Sequence, residues 1–192
     1  MELTVVRGDI THQAVEAIVT AANIGLRGGG GVDGAVHAAA GPRLLQASLA
    51  LAPCPAGAAV ITPAVDLAPV RWIIRAVGPV YRGPQDASTL ASAYTQALAR
   101  ADEVGAGSLA FPSISTGVYG YPLAEAAAVS VQALLGASTG VQSVLLVAFT
   151  ADAARAWTIA FFFVIVSLLA LTLHVHCGLV RVGHPSEPDH GR

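Results

Sequence analysis

Short apolar runs alternate with alanine-rich windows of helical spacing through about the first 150 residues, and that alternation constrains the chain to an α/β fold. Strands are expected over 3–6, 17–20, 59–61, 72–77, 109–111 and 144–149. Several of these runs are continuously apolar, as strands covered on both faces require. Helices are expected over 32–40, 44–51, 88–104 and 123–135, with a last one beginning near Ala151. Gly41-Pro42 stops the first of them, and Pro122 stands where a helix start tolerates it. The segment 82–87, RGPQDA, reads as a solvent loop and not as a domain boundary.

Composition narrows the function classes. With 54% hydrophobic residues, 11% charged and a net charge of -2, the chain has the material for a core, and wholesale disorder is excluded. All ten basic residues are arginines, offset by twelve acids, and no basic cluster marks a nucleic-acid surface. Cys54 and Cys177 are far apart and belong to no CxxC pair, which argues against a zinc site or a disulfide framework. MELTVVRGDI is no signal peptide, so the body of the chain is expected to fold in the cytoplasm, as a monomer.

The end of the chain departs from this. No charged residue occurs between Arg155 and Arg181, and the 18 residues 156–173 are apolar apart from Thr158, Ser167 and Thr172. As a helix they would span about 27 Å, close to a hydrocarbon core of about 30 Å. Two readings stay open: a membrane anchor over 156–180 followed by a polar terminus, or an aberrant end joined to the last helix without a linker. His174, His176, His184 and His190 are scattered there without a helical HxxxH pair, so no metal is expected.

Chemistry concentrates in three loops that each follow a β-like run. In the first, Gly28, Gly29, Gly30 and Gly31 remove side-chain bulk where backbone would approach a ligand, and a helix opens directly after them. Asp33 and His37 lie four residues apart, on one face of that helix. On the residues alone, Asp33 is equally a dipole-favoured helix-start residue and His37 a core histidine. The second loop, FPSISTGVYGYP, offers hydroxyls at Ser113, Ser115 and Thr116, small residues, and a following helix. It is neither a Walker loop nor a dinucleotide fingerprint. Two such loops facing each other at strand ends suit a pyrophosphate. The third, RGDIT, places Asp9 either as an acceptor for an exocyclic amine or as a cap of its own turn.

The segments GDIT, AANIGLRGGGGVDGAVHAAAGP, CPAGAAVITPA, RWIIRAVGPVY and LAFPSISTGVYGYP, in this order and spacing, resemble macro domains of the MacroD type. That group includes bacterial O-acetyl-ADP-ribose deacetylases. The resemblance implies a three-layer α/β/α sandwich with a mixed central sheet over 1–160, an ADP-ribose cleft, and an atypical hydrophobic tail over 161–192. It implies that Asp9 holds the adenine amino group, with Ile10 offering its N–H and Phe149 flanking the base. Gly30, Gly31 and Val32 would line one side of the diphosphate. Ser115, Thr116, Gly117, Val118 and Tyr119 would line the other, with the Tyr119 ring on the distal ribose. Asn23 would contact that ribose, and Asp33, with Asn23 and His37, would orient or deprotonate a water without metal or cofactor.

The implied substrates are O-acetyl-ADP-ribose and proteins carrying mono-ADP-ribose on acidic side chains. The alternative is a module that binds ADP-ribose without turning it over. Two departures from the family pattern are Thr20, where asparagine is usual, and Thr150, where an acid commonly follows the aromatic. The first puts a ribose-side contact or support of the loop in doubt, and the second at most an adenine-side contact.

Overall fold

The apolar runs form strands and the alanine-rich windows form helices. In chain order these are β1 (Glu2–Arg7), β2 (Ala17–Ala21), α1 (Gly31–Ala40), α2 (Pro42–Leu49), β3 (Ala59–Pro63), β4 (Trp72–Ala76), α3 (Ala87–Glu103), β5 (Ser108–Phe111), α4 (Leu123–Leu135), β6 (Ser143–Ala148) and α5 (Ala151–Cys177). The structure, a computed structural model, describes residues 1–177, with side chains described for 1–164 and 166.

The strands join one sheet in the order β1-β6-β5-β2-β4-β3. Every neighbouring pair is parallel except β3 against β4, so the sheet is mixed, with an antiparallel edge strand. Successive side chains of each strand face opposite sides. Ala17 and Val19 of β2 therefore join Ile74, Leu109, Phe111, Val144 and Leu146 beneath α3, α4 and α5. Ile18 joins Ile73, Ala110 and Val147 beneath α1 and α2, where Val36, Ala40 and Leu44 close the other core. This two-sided burial explains the unbroken apolar runs, and each fully buried Leu, Ile or Val contributes about 1.5–3 kcal/mol.

Two strands end one residue earlier than expected, at Ala76 and Ala148, and α2 stops at Leu49. Beyond β6 the cause is local: the Thr150 hydroxyl accepts the Ala153 N–H at 3.2 Å, so Thr150 caps α5 and Phe149 turns out of the sheet. Ala153, Trp157 and Ala160 of α5 are buried, Phe161 and Val164 pack partly, and Trp157 Nε1 donates to Ser130 Oγ of α4 at 2.9 Å. Ile159, Phe162, Phe163 and Val166 are exposed. Among the described residues no helix is long and apolar enough to cross a membrane. The anchor expected over 156–180 and the polar terminus beyond it extend outside the described residues.

Candidate functional site

Five strands run the same way, so the loops after β1, β2, β4, β5 and β6 emerge at one edge of the sheet. The loop after β2 is braced by Asn23, whose Nδ2 donates to the Gly28 carbonyl at 2.6 Å. Gly34 on α1 packs against this loop so tightly that a Cβ there would lie 2.4 Å from the Gly29 carbonyl oxygen. The N–H groups of Gly30, Gly31 and Val32, at the α1 start, donate to no protein acceptor among the described residues. Unused donors at a helix N-terminus favour an anion.

The loop after β5 presents a second row. The N–H groups of Thr116, Gly117, Val118 and Tyr119 are likewise unused among the described residues. Ser115 adopts φ 66°, unusual for a residue with a side chain, and its buried Oγ finds no partner. The loop is held from below by Tyr94, which no motif in the sequence marks. Its buried hydroxyl accepts the Ile114 N–H at 3.1 Å and donates to the Pro112 carbonyl at 3.2 Å. Burial pushes that phenol far above its ordinary range, so it stays neutral. Thr116 Oγ1 donates to the Ser113 carbonyl at 3.0 Å, and Val118 is fully exposed at the loop tip.

Behind the first loop lies a buried charged cluster. Asp33 is 3% exposed and Arg75, next to the last residue of β4, is wholly buried. Arg75 is the register partner of Thr20 on β2, so both side chains leave the sheet on the α1 side. Asp33 Oδ1 accepts from Thr20 Oγ1 at 2.9 Å and lies 3.3 Å from Arg75 Nη2. The same Nη2 is hydrogen-bonded to His37 Nε2. Asp33 Oδ2 is buried without a partner, as are Nε and Nη1 of Arg75. Burial first, and then the guanidinium charge, push the His37 imidazole below its ordinary value, with Asp33 opposing them. Thr20, where the family usually has asparagine, thus supports Asp33 from within β2.

The remaining expected residues flank the same edge. Asp9 Oδ1 accepts from Thr11 N at 2.8 Å and from Thr11 Oγ1 at 2.7 Å, which makes it the cap of the 3-10 turn Ile10–His12. The hydroxyl bond, followed by the backbone one, lowers its pKa. Ile10 is buried. Phe149 is 76% exposed and follows β6, the hydrogen-bonded neighbour of β1. Gly8 N donates to the Ala148 carbonyl at 3.0 Å and keeps these two loops adjacent. Tyr119 is half-buried, and its carbonyl accepts the Tyr81 N–H at 2.9 Å. Among the described residues no group of three or more His, Cys, Asp and Glu side chains could hold a metal ion.

A mixed six-stranded sheet between helical layers, with two amide-lined loops at one edge and a buried carboxylate behind one of them, defines an anion-binding α/β domain. The chain belongs to the macro domain family, whose model matches residues 19–130. It is 46% identical over 162 residues to a macro domain-containing protein of Streptomyces coelicolor, covering 81% of this chain and 95% of that one. It is 51% identical over 136 residues to the O-acetyl-ADP-ribose deacetylase of Enterobacter cloacae, covering 68% and 75%. Among solved structures, a mutant macrodomain of Oceanobacillus iheyensis with ADPR superposes with TM-score 0.80 at 39% identity, covering 84% of this chain and 92% of that one.

Proposed function

We propose that this chain binds ADP-ribose and hydrolyses its esters, deacetylating O-acetyl-ADP-ribose and releasing mono-ADP-ribose from acidic protein side chains. The observation that carries the reading is the placement of Asp33. Its buried, unpartnered Oδ2 sits in the first turn of α1, whose leading N–H groups are unused, and the loop after the neighbouring strand β5 offers a second set at the same sheet edge. The diphosphate lies between the two rows, adenine lies toward Asp9, Ile10 and Phe149, and the distal ribose lies toward Asn23 and Tyr119. Water adds across the ester bond, and the products are ADP-ribose and the free carboxylic acid.

Asp33 holds this water through Oδ2, since Oδ1 already accepts from Thr20 and Arg75. Orientation of a bound water against a fixed ribose contributes several kcal/mol, and proton transfer adds typically about 10²–10⁴-fold. The deacetylase named among the relatives supports this chemistry.

A second reading, a module that binds ADP-ribose without turnover, is favoured by one observation. The Asp33 charge is already compensated by a buried guanidinium. The two are separated by incubating the full chain and Asp33→Asn with O-acetyl-ADP-ribose and with a glutamate-linked mono-ADP-ribosylated protein, with and without chelator. Release by the parent, lost in Asp33→Asn while ADP-ribose still binds, supports the hydrolase. Tight binding without release from either substrate leaves the module.

A further inference from the structure

We propose that Arg75 is the positioning residue of this site: its Nη2 ties the Asp33 carboxylate to the His37 ring, which turns Asp33 Oδ2 to the water and makes His37 a neutral acceptor. The inference rests on the hydrolase reading for what Asp33 does, and on this chain's own geometry for how Asp33 is held.

A guanidinium has donors only, so wherever it bonds a ring nitrogen, that nitrogen must carry the lone pair. His37 Nε2 bonds Arg75 Nη2, and the imidazole is therefore neutral with its proton on Nδ1. A histidine whose Nε2 lone pair is engaged by a cation is a poor proton acceptor, so His37 braces the site and Asp33 alone meets the water. Burial first, and then the Arg75 charge, favour the neutral ring, with Asp33 opposing them.

Arg75 is also the right kind of residue to aim a carboxylate. It rises from a strand bonded on both sides, to β2 and to β3, and its buried planar head has no room to swing. Thr20 from β2 supplies the second donor to Oδ1 at 2.9 Å. With both bonds made on one oxygen, rotation of the carboxylate about its last torsion is fixed, and Oδ2 is the oxygen left over. A buried strand arginine inside the apolar run WIIRA is otherwise costly to keep.

The test uses the full chain, Arg75→Met and Arg75→Lys, with three readouts: kcat and KM on O-acetyl-ADP-ribose, the ADP-ribose dissociation constant, and the ring ¹⁵N shifts of His37 at neutral pH. In Arg75→Met, kcat should fall at least about tenfold while KM and the ADP-ribose constant stay within about threefold, a loss of orientation and not of binding. Arg75→Lys, which keeps charge but not the fork, should fall between the two. The parent should show His37 as a single Nδ1–H tautomer, and Arg75→Met should lose that pattern.

Unchanged kcat in a folded Arg75→Met overturns the proposal. So does a fall in affinity that matches the fall in kcat, or a parent His37 that is protonated on Nε2. Should Arg75→Met not fold, the tautomer in the parent and in Arg75→Lys decides. Should the parent show no turnover at all, the hydrolase reading fails, while the His37 signature still tests how Asp33 is held.

Discussion

Gly78 and Ser115 touch across the base of the second amide-lined loop. A Cβ on Gly78 would lie 2.1 Å from Ser115 Oγ and 2.5 Å from Ile114 Cγ2. The short stretch after β4 thereby fixes the height of the loop after β5, whose Ser115 already sits in a left-handed conformation. Gly78→Ala should displace this loop, cost about 1–3 kcal/mol in urea unfolding and weaken ADP-ribose binding in calorimetry. Normal affinity would mean that the loop relaxes without losing its amide row.

Thr20→Val keeps shape and removes the hydroxyl that donates to Asp33 Oδ1. Arg75 still serves that oxygen, so the loss should stay near about 1 kcal/mol in equilibrium unfolding at neutral pH. A cost well above about 3 kcal/mol would show that the hydroxyl supports more than Asp33.

Trp157 anchors α5 by volume and by one bond to Ser130 Oγ. Trp157→Ala should cost about 3–5 kcal/mol. Ser130→Ala should cost about 1–2 kcal/mol, since it strips the indole N–H of its acceptor. The double variant should cost less than the sum, because both changes remove the same bond; denaturation of all three reads the coupling.

The pH dependence has a definite sign. The folded His37 pKa lies below its ordinary 6.5, chiefly through burial, so below that pH the unfolded chain binds the proton first. The stability contributed by neutral His37 is therefore full above about pH 6.5 and is lost as pH falls toward the folded value. Asp9, also lowered, contributes above about 3.8 and loses that contribution as pH falls through its folded pKa. Urea midpoints between pH 4.5 and 8 should drop below pH 6.5 more steeply in the parent than in His37→Asn. Equal slopes would place His37 outside this linkage.

Local pattern carries much of this protein and misses what depends on register. Leu123–Leu135 forms as spacing and Pro122 suggest, and the continuous runs are strands because helices cover both faces of the sheet. The antiparallel direction of β3 has no local signature, since 59–61 is as apolar as the strands that run parallel to one another. Arg75 was in plain view as the one charge inside WIIRA, but only the pairing of Thr20 with Arg75 brings it to Asp33. The signal that could have found it is the cost of a buried strand cation, which demands an acid nearby. Thr150 reads as a lost adenine-side acid against the family pattern, whereas a hydroxyl directly before a helix is itself a cap signal. Tyr94 escapes notice because an aromatic at helical spacing looks like packing, and its hydroxyl matters only once the loop at Pro112 and Ile114 lies above it.

The cation buried on β4 also governs which substitutions such a chain tolerates. Neutralising Arg75 alone strands the Asp33 carboxylate in the interior, and neutralising Asp33 alone strands the guanidinium. Either step costs about 3–5 kcal/mol, while exchanging both for well-packed apolar residues can be close to neutral. In stability the two positions are thus coupled: the double exchange costs less than the sum of the two single ones.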